Sequence, residues 1–159
     1  MNVKPLKGIV ICKETGEYLV DVILDTTIDP ILLSSFVGAL RMFGDKFGEI
    51  EEIDIKGLDV EMIIIYKYNL IFVAILAKGF IKHNIREEAE QALDMFYSLY
   101  REEFNQDCID VSQFHAFKEI LMTQIEEYFN RIKSSLMDSD ISDFGFFTDA
   151  IKKLRNGVD

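Results

Sequence analysis

The residues that could do chemistry are few. His115 and Glu119 stand four positions apart, the spacing that puts two metal ligands on one face of a helix. No third ligand accompanies them, and a hydrogen-bonded or solvated histidine is the plainer reading. His83 has no such companion. Cys108 precedes His115 by seven positions and offers a thiol near an imidazole, but no element that would hold an oxyanion comes with them. Asp21 is isolated among Leu19, Val20, Val22 and Ile23, where an inward carboxylate reads as a guard against pairing at a strand edge. Gly44, Gly48 and Gly57 are followed by no Gly-Lys-Ser/Thr, so none opens a phosphate loop. Arg41 and Arg86 each have the chemistry of a guanidinium finger for phosphoryl transfer, and each equally that of a solvated arginine. These spacings imply no catalytic residue, no metal site and no cofactor.

Composition narrows the classes further. The chain has 159 residues, 17 basic and 28 acidic side chains and a formal charge of −11. That length fits one domain. With 49% hydrophobic residues a sizeable core is available, and most of the chain is expected to be ordered. An acidic chain without a basic stripe repels phosphate, which excludes nucleic acid as the expected ligand. The aromatic residues, Tyr66, Tyr68, Tyr97, Tyr100 and Tyr128 among them, then read as core filling rather than base stacking. The longest apolar run, Leu70 to Ala77, has eight residues, where a bilayer needs about 20. Met1 to Pro5 has no hydrophobic signal core, and the two cysteines suit a reducing compartment, so a cytoplasmic location is expected.

The elements that must position these residues follow from pattern. Leu6–Cys12 and Tyr18–Leu24 are β-branched runs around a turn in which Gly16 suits the left-handed position. Asp29 and Pro30 open a helix by capping it and occupying its first turn. Leu32, Phe36, Leu40, Phe43 and Phe47 make one apolar face of that helix, and Gly48 is placed to end it. Three strands follow: Glu49–Ile55, Val60–Tyr68 and Leu70–Ala77, with Gly57 and Asn69 at the turns. Leu70–Ala77 is apolar throughout, so it belongs at the centre of a sheet covered on both faces. Asn84 to Glu87 reads as a capping-box start, and stripes over Ile85–Phe104 and Phe114–Leu136 mark two long helices. Asp138–Asp159 differs in texture, an acidic linker and then a short amphipathic helix carrying Phe144, Phe147, Ile151 and Leu154.

The resulting order is β-β-α-β-β-β-α-α plus a short C-terminal helix. It resembles the longin domain, within the profilin-like and roadblock-related group of α/β/α sandwiches. The resemblance is carried by the Lys7–Ile11 strand with its Thr15-Gly16 turn, the helix Pro30–Phe47, the hairpin Met62–Ala77 and the closing helices Asn84–Phe104 and Asp110–Leu136. It implies an α/β (α+β) fold with a five-stranded, mainly antiparallel sheet over residues 1–137, followed by the segment 138–159. Longin-like domains are generally interaction modules of trafficking SNAREs, adaptors, tethers and GTPase-exchange complexes rather than enzymes, and relatives occur in archaea rich in small GTPases, the type this chain resembles. No heptad helix or membrane anchor follows the domain here, which sets the SNARE role aside in favour of a free-standing module.

The resemblance implies a protein partner, either a small GTPase or a longin/roadblock-type protein, and admits a homodimer. It places the third strand at a sheet edge beside the first helix. The expected docking residues are Glu49, Glu51, Glu52 and Asp54 on that edge, with Arg41 on the helix. The same charges would equally keep the edge from aggregating. Phe144, Phe147, Ile151 and Leu154 form a second expected contact, whether with a partner, a membrane surface or the chain's own core. The alternative reading is a small-molecule sensor of PAS- or GAF-like shape, against which stands the lack of any polar group on Leu70–Ala77 to orient a ligand.

Overall fold

The computed structural model describes residues 6–44, 46, 51–57, 60–78 and 84–138, with side chains through Ser134. His83, Glu49, Gly48 and the whole of 139–159, including Phe144, Phe147, Ile151 and Leu154, lie outside the described residues. The elements run β1 Leu6–Lys13, β2 Tyr18–Ile23, α1 Pro30–Gly44, β3 Glu52–Lys56, β4 Val60–Lys67, β5 Leu70–Ala77, α2 Ile85–Tyr100, a 3-10 turn Val111–Phe114 and α3 Phe117–Asp138. The chain packs as two units, Met1–Met122 and Thr123–Asp159. The first holds the sheet, α1, α2 and the opening of α3; the second holds the rest of α3, where Tyr128 and Phe129 meet edge to face.

The five strands form one antiparallel sheet in the order β2-β1-β5-β4-β3. β5 is central, and Leu70 to Leu76 are all buried, as a strand apolar on both faces requires. On one face Val10, Cys12, Ile71, Val73, Ile75 and Ile64 pack beneath Leu33 and Val37 of α1. The helical layer contributed by α2 and the residues after it buries Ala89, Ala92, Leu93 and Phe96, with Phe104, Phe114 and Phe117. The Phe96 ring lies 5.3 Å from Phe114 and meets Phe117 edge-on at 5.1 Å, an aromatic cluster in favoured geometry.

Local chemistry explains the joints. The Asp29 carboxylate accepts from the backbone N–H of Ile31 at 3.0 Å and of Leu32 at 3.2 Å, capping α1 as its sequence foretells. Gly16 has φ 95°, and its backbone rests against Gly38 of α1 so closely that a Cβ on Gly38 would lie 2.4 Å from Gly16 Cα. The β4–β5 turn is made by Tyr68 and Asn69, both left-handed at φ 59° and 62°, the pattern of a type I′ hairpin. A tyrosine at positive φ is unusual. It is held by stacking on Tyr97 at 4.4 Å and by the neighbouring Lys67–Asp94 ion pair at 2.8 Å.

Several boundaries differ from the sequence expectation. α1 ends at Gly44, and β3 begins at Glu52 rather than Glu49. Asn84 sits at the start of α2 in a left-handed conformation and makes no side-chain cap hydrogen bond, so the capping box does not form. The segment from Asp110 opens as a 3-10 turn, because Asp110 caps the Ser112 N–H at 3.0 Å and the α-helix starts only at Phe117.

Gly38→Ala is expected to destabilise the fold by about 2 kcal/mol or more, because the facing atoms are backbone and cannot rotate away; thermal denaturation measures it, and an unchanged Tm would contradict the packing. Asp25 and Asp110 are held below the usual carboxylate range by hydroxyl and backbone donors of Thr27 and Ser112, and Asp94 by the Lys67 ammonium. Each carboxyl binds its proton more weakly folded than unfolded. Their contribution is present above the unfolded carboxylate range, about pH 4, and is lost as pH falls through the lower folded values. Tm should therefore decline as pH falls below the unfolded carboxylate range, and Asp94→Asn should flatten that decline.

Candidate functional site

α1 carries large apolar side chains on two opposite arcs. Its inner arc, Leu33, Ser34, Val37 and Gly38, faces the sheet. Its outer arc carries Ile31, Leu32, Phe36, Met42 and Phe43, exposed to 64, 69, 47, 66 and 60% of their surface. A single Arg41 is the helix's only charged residue, and no carboxylate occurs among its 15 residues in a chain of net charge −11. Of the stripe that periodicity singles out, Leu32, Phe36 and Phe43 face solvent, Leu40 is half-buried against the core and Phe47 lies outside the described residues, while the face one step round is the one packed on the sheet. Both arcs satisfy a helical period, so period alone could not choose between them. None of these five residues is among the expected contact residues, of which only Arg41 lies on this helix; the missing carboxylates are the signal that marks the arc.

α1 lies mainly over β1 and β2. Its C-terminal end reaches further, since the Arg41 guanidinium stands 5.1 Å over the Tyr66 ring of β4. Beyond that end the same sheet face continues as Ile53, Ile55, Val60 and Met62, half-buried against the core. β3 is at the sheet's edge, as expected, though beyond the strands that carry most of α1.

The edge can be read atom by atom. Tyr66 N–H donates to Glu51 C=O at 3.0 Å and Gly57 N–H to Val60 C=O at 2.8 Å. With the β3–β4 register, the hydrogen-bonded pairs are therefore those of Glu51, Ile53, Ile55 and Gly57. The backbone groups of Glu52, Asp54 and Lys56 point the other way, along the outer edge. Their side chains share one exposed face, while Ile53 and Ile55 take the half-buried one.

Arg86, at the start of α2, gathers the acidic side chains next to this edge. It binds Glu51 at 2.9 Å, Glu90 at 3.5 Å and Glu52 at 4.0 Å, and these carboxylates, Glu51 foremost, raise its pKa further. Arg86 thus faces carboxylates, and Arg41 lies over a tyrosine ring. A surface cleft of about 340 Å³ opens between them, lined by Glu14, Arg41, Tyr66, Tyr68, Arg86 and Glu90 among others.

The remaining expected residues do not converge. Asp21 is buried on the edge strand β2 and accepts a hydrogen bond from the Tyr18 hydroxyl, whose pKa is raised by burial and by that carboxylate. His115 and Glu119 are exposed, and no group of three metal-ligating side chains occurs among the described residues. Cys12 and Cys108 are both free thiols. Burial pushes the Cys12 thiol up to about 12 against a weaker, opposing hydrogen bond with Ser34. One thiol equivalent, Cys108, should react with an aromatic disulfide in the native chain, and the second only on unfolding; two fast equivalents would contradict the buried placement.

With this geometry in hand, likenesses to solved structures are informative. A roadblock/LC7 domain from Streptomyces avermitilis superposes with a TM-score of 0.52 at 10% identity, over 60% of this chain and 85% of that one. Myxococcus xanthus MglB gives 0.50 at 16% identity over 60% and 80%. MglB with a tetrameric arrangement gives 0.50 at 11% identity over 61% and 79%. No protein-family model and no curated protein matches the sequence. The fold is therefore that of the roadblock and longin group, an α/β sandwich around a five-stranded antiparallel sheet. No helix among the described residues is long and apolar enough to cross a membrane.

Proposed function

We propose that this chain is a non-catalytic protein-interaction module, a cytoplasmic scaffold or regulator in an assembly built around a small GTPase of the vesicle-trafficking type. The observation that carries the reading is the outer arc of α1: five large apolar side chains exposed together on a carboxylate-free helix of an acidic protein. Burying each such side chain gives about 1.5–3 kcal/mol, so the arc as a whole can supply most of a stable interface. Left bare, it is an aggregation liability. Ile53 and Ile55 continue the apolar surface, and the β3 edge adds directional backbone groups to it.

The partner class comes from the longin resemblance, whose members work in trafficking and GTPase-exchange assemblies. The fold likeness to MglB, one structure of which has a tetrameric arrangement, supports a role in assembly and admits a second copy as one partner. Against the sensor alternative, β5 is buried along both faces, and in the cleft beside it the Arg86 guanidinium is already paired with Glu51 and Glu90.

The test is calorimetric titration of the full chain with small GTPases loaded with GDP or with a non-hydrolysable GTP analogue. Binding to one nucleotide state is expected. Phe36→Asp with Phe43→Asp should weaken it at least tenfold, about 1.4 kcal/mol or more, while Tm stays within about 3 °C because both side chains face solvent. Absence of binding in either state, or undiminished binding by the variant, would overturn the reading.

A further inference from the structure

The cleft between Arg41 and Arg86 is a feature separate from the α1 arc. It lies at one end of the sheet, where the β1–β2 turn, the end of α1, the β4–β5 turn and the first turns of α2 meet. Its volume of about 340 Å³ is at the small end of the range for ligand sites. Three carboxylates, Glu14, Glu51 and Glu90, line it together with three cationic side chains, Arg41, Lys67 and Arg86. In a chain of net charge −11, this lining is balanced. A lone anion would meet the carboxylates and a lone cation the cations. A molecule that carries both signs meets neither difficulty.

Most of these charges are engaged within the chain. Arg86 holds Glu51 at 2.9 Å and Glu90 at 3.5 Å, and Lys67 holds Asp94 at 2.8 Å. Glu14 is half-buried, and no ion pair reaches it among the described residues. Its backbone is fixed in place, since Glu14 N–H donates to Asn69 C=O at 2.9 Å. The same turn seats α1 through the contact of Gly38 with Thr15 and Gly16, and Arg41 follows one helical turn after Gly38. Arg41 lies over the Tyr66 ring at 5.1 Å, and a ring face accepts none of the guanidinium's N–H donors as an ordinary hydrogen bond. The rest of the wall includes Tyr66, Tyr68 and Leu70. Tyr68 keeps its place there at φ 59°, which asparagine or glycine would adopt at less cost.

We propose that this cleft binds an α-amino acid with an apolar side chain, its carboxylate on the Arg41 guanidinium, its ammonium on the Glu14 carboxylate and its side chain against the tyrosines. The guanidinium fork matches a carboxylate, and hydrogen bonds between charged groups are the strong ones. The cleft is at the strand ends, outside the filled layers, so it is not the enclosed pocket of a sensor domain. It goes beyond the docking reading and does not rest on it.

NMR titration of the isotope-labelled full chain with L-phenylalanine, to about 10 mM at about pH 6, tests the site. The backbone amides of Glu14, Arg41, Tyr68 and Asn69 should shift along one saturation curve with a Kd of about 1 mM or tighter. N-acetyl-L-phenylalanine lacks the ammonium and L-phenylalaninamide the carboxylate, and each should bind about tenfold more weakly or worse. Two variants then assign the charges. Glu14→Gln should bind L-phenylalanine no better than its N-acetyl derivative, and Arg41→Gln should bind it no better than its amide. A merely structural loss would weaken all three probes alike.

Four results would overturn the proposal: no shift by about 10 mM, shifts confined to residues away from the cleft, capped derivatives that bind as tightly as the amino acid, or variants that weaken every probe equally. A chain that fails this titration yet binds a GTPase loses the cleft site and keeps the docking reading. A chain that passes it and binds no GTPase does the reverse.

Discussion

β5 carries eight consecutive apolar residues and is hydrogen-bonded to β1 on one side and β4 on the other. Backbone pairing flattens it into the sheet, so its side chains alternate up and down, and neither direction can be given to water. At about 25 cal/mol for each Å² of apolar surface, an uncovered face of such a strand would cost several kcal/mol. The chain must therefore lay helices on both sides of the sheet. One side is filled by α2 and the aromatic cluster around Phe96; the other receives α1.

That second layer cannot be completed by one helix. A helix with its side chains is about 10 Å across, while strands lie about 4.8 Å apart, so a five-stranded sheet is about 19 Å from outer strand to outer strand. α1 covers β1 and β2 well and reaches β4 only with its C-terminal end. Ile53, Ile55, Val60 and Met62 are left half-covered as a direct result. The two sheet edges differ in the same way. β2 has the 3-10 turn packed against it and is largely buried, whereas β3 alternates exposed and half-buried with no strand beyond it among the described residues. The unfinished side of the fold and its open edge are thus one connected surface.

How much of this was legible in the sequence depends on whether one residue pattern allowed one arrangement or two. Leu70–Ala77 permits only a doubly covered strand, and the sheet centre followed from it. Asp29-Pro30 allows little besides a helix start, and Gly16 little besides a left-handed turn. α1 was different: Leu32, Phe36 and Phe43 satisfy the helical period as well as Leu33 and Val37 do, and the core took the second set because Gly38 lets the helix lie directly on the Gly16 turn. A small residue at the contact decided the rotation of the helix, and periodicity counts only large ones. Tyr68 was opaque for a related reason. Its positive φ is sustained by Tyr97, nearly thirty positions along the chain, and local propensity carries no record of that contact.

The candidate site combines two kinds of interaction that do different work. Apolar burial on α1 is strong but nearly indifferent to direction, so alone it would accept many partners in many orientations. Exposed charge pairs contribute little affinity each, while like charges set directly opposite one another across a strand edge count against a pairing. Arg86 holds Glu51 and Glu52 on its own chain beside this edge, and Asp54 and Lys56 follow them along the exposed face of β3. The exposed arc of α1 and the open β3 edge therefore differ in kind, the one apolar and undirected, the other polar and directional.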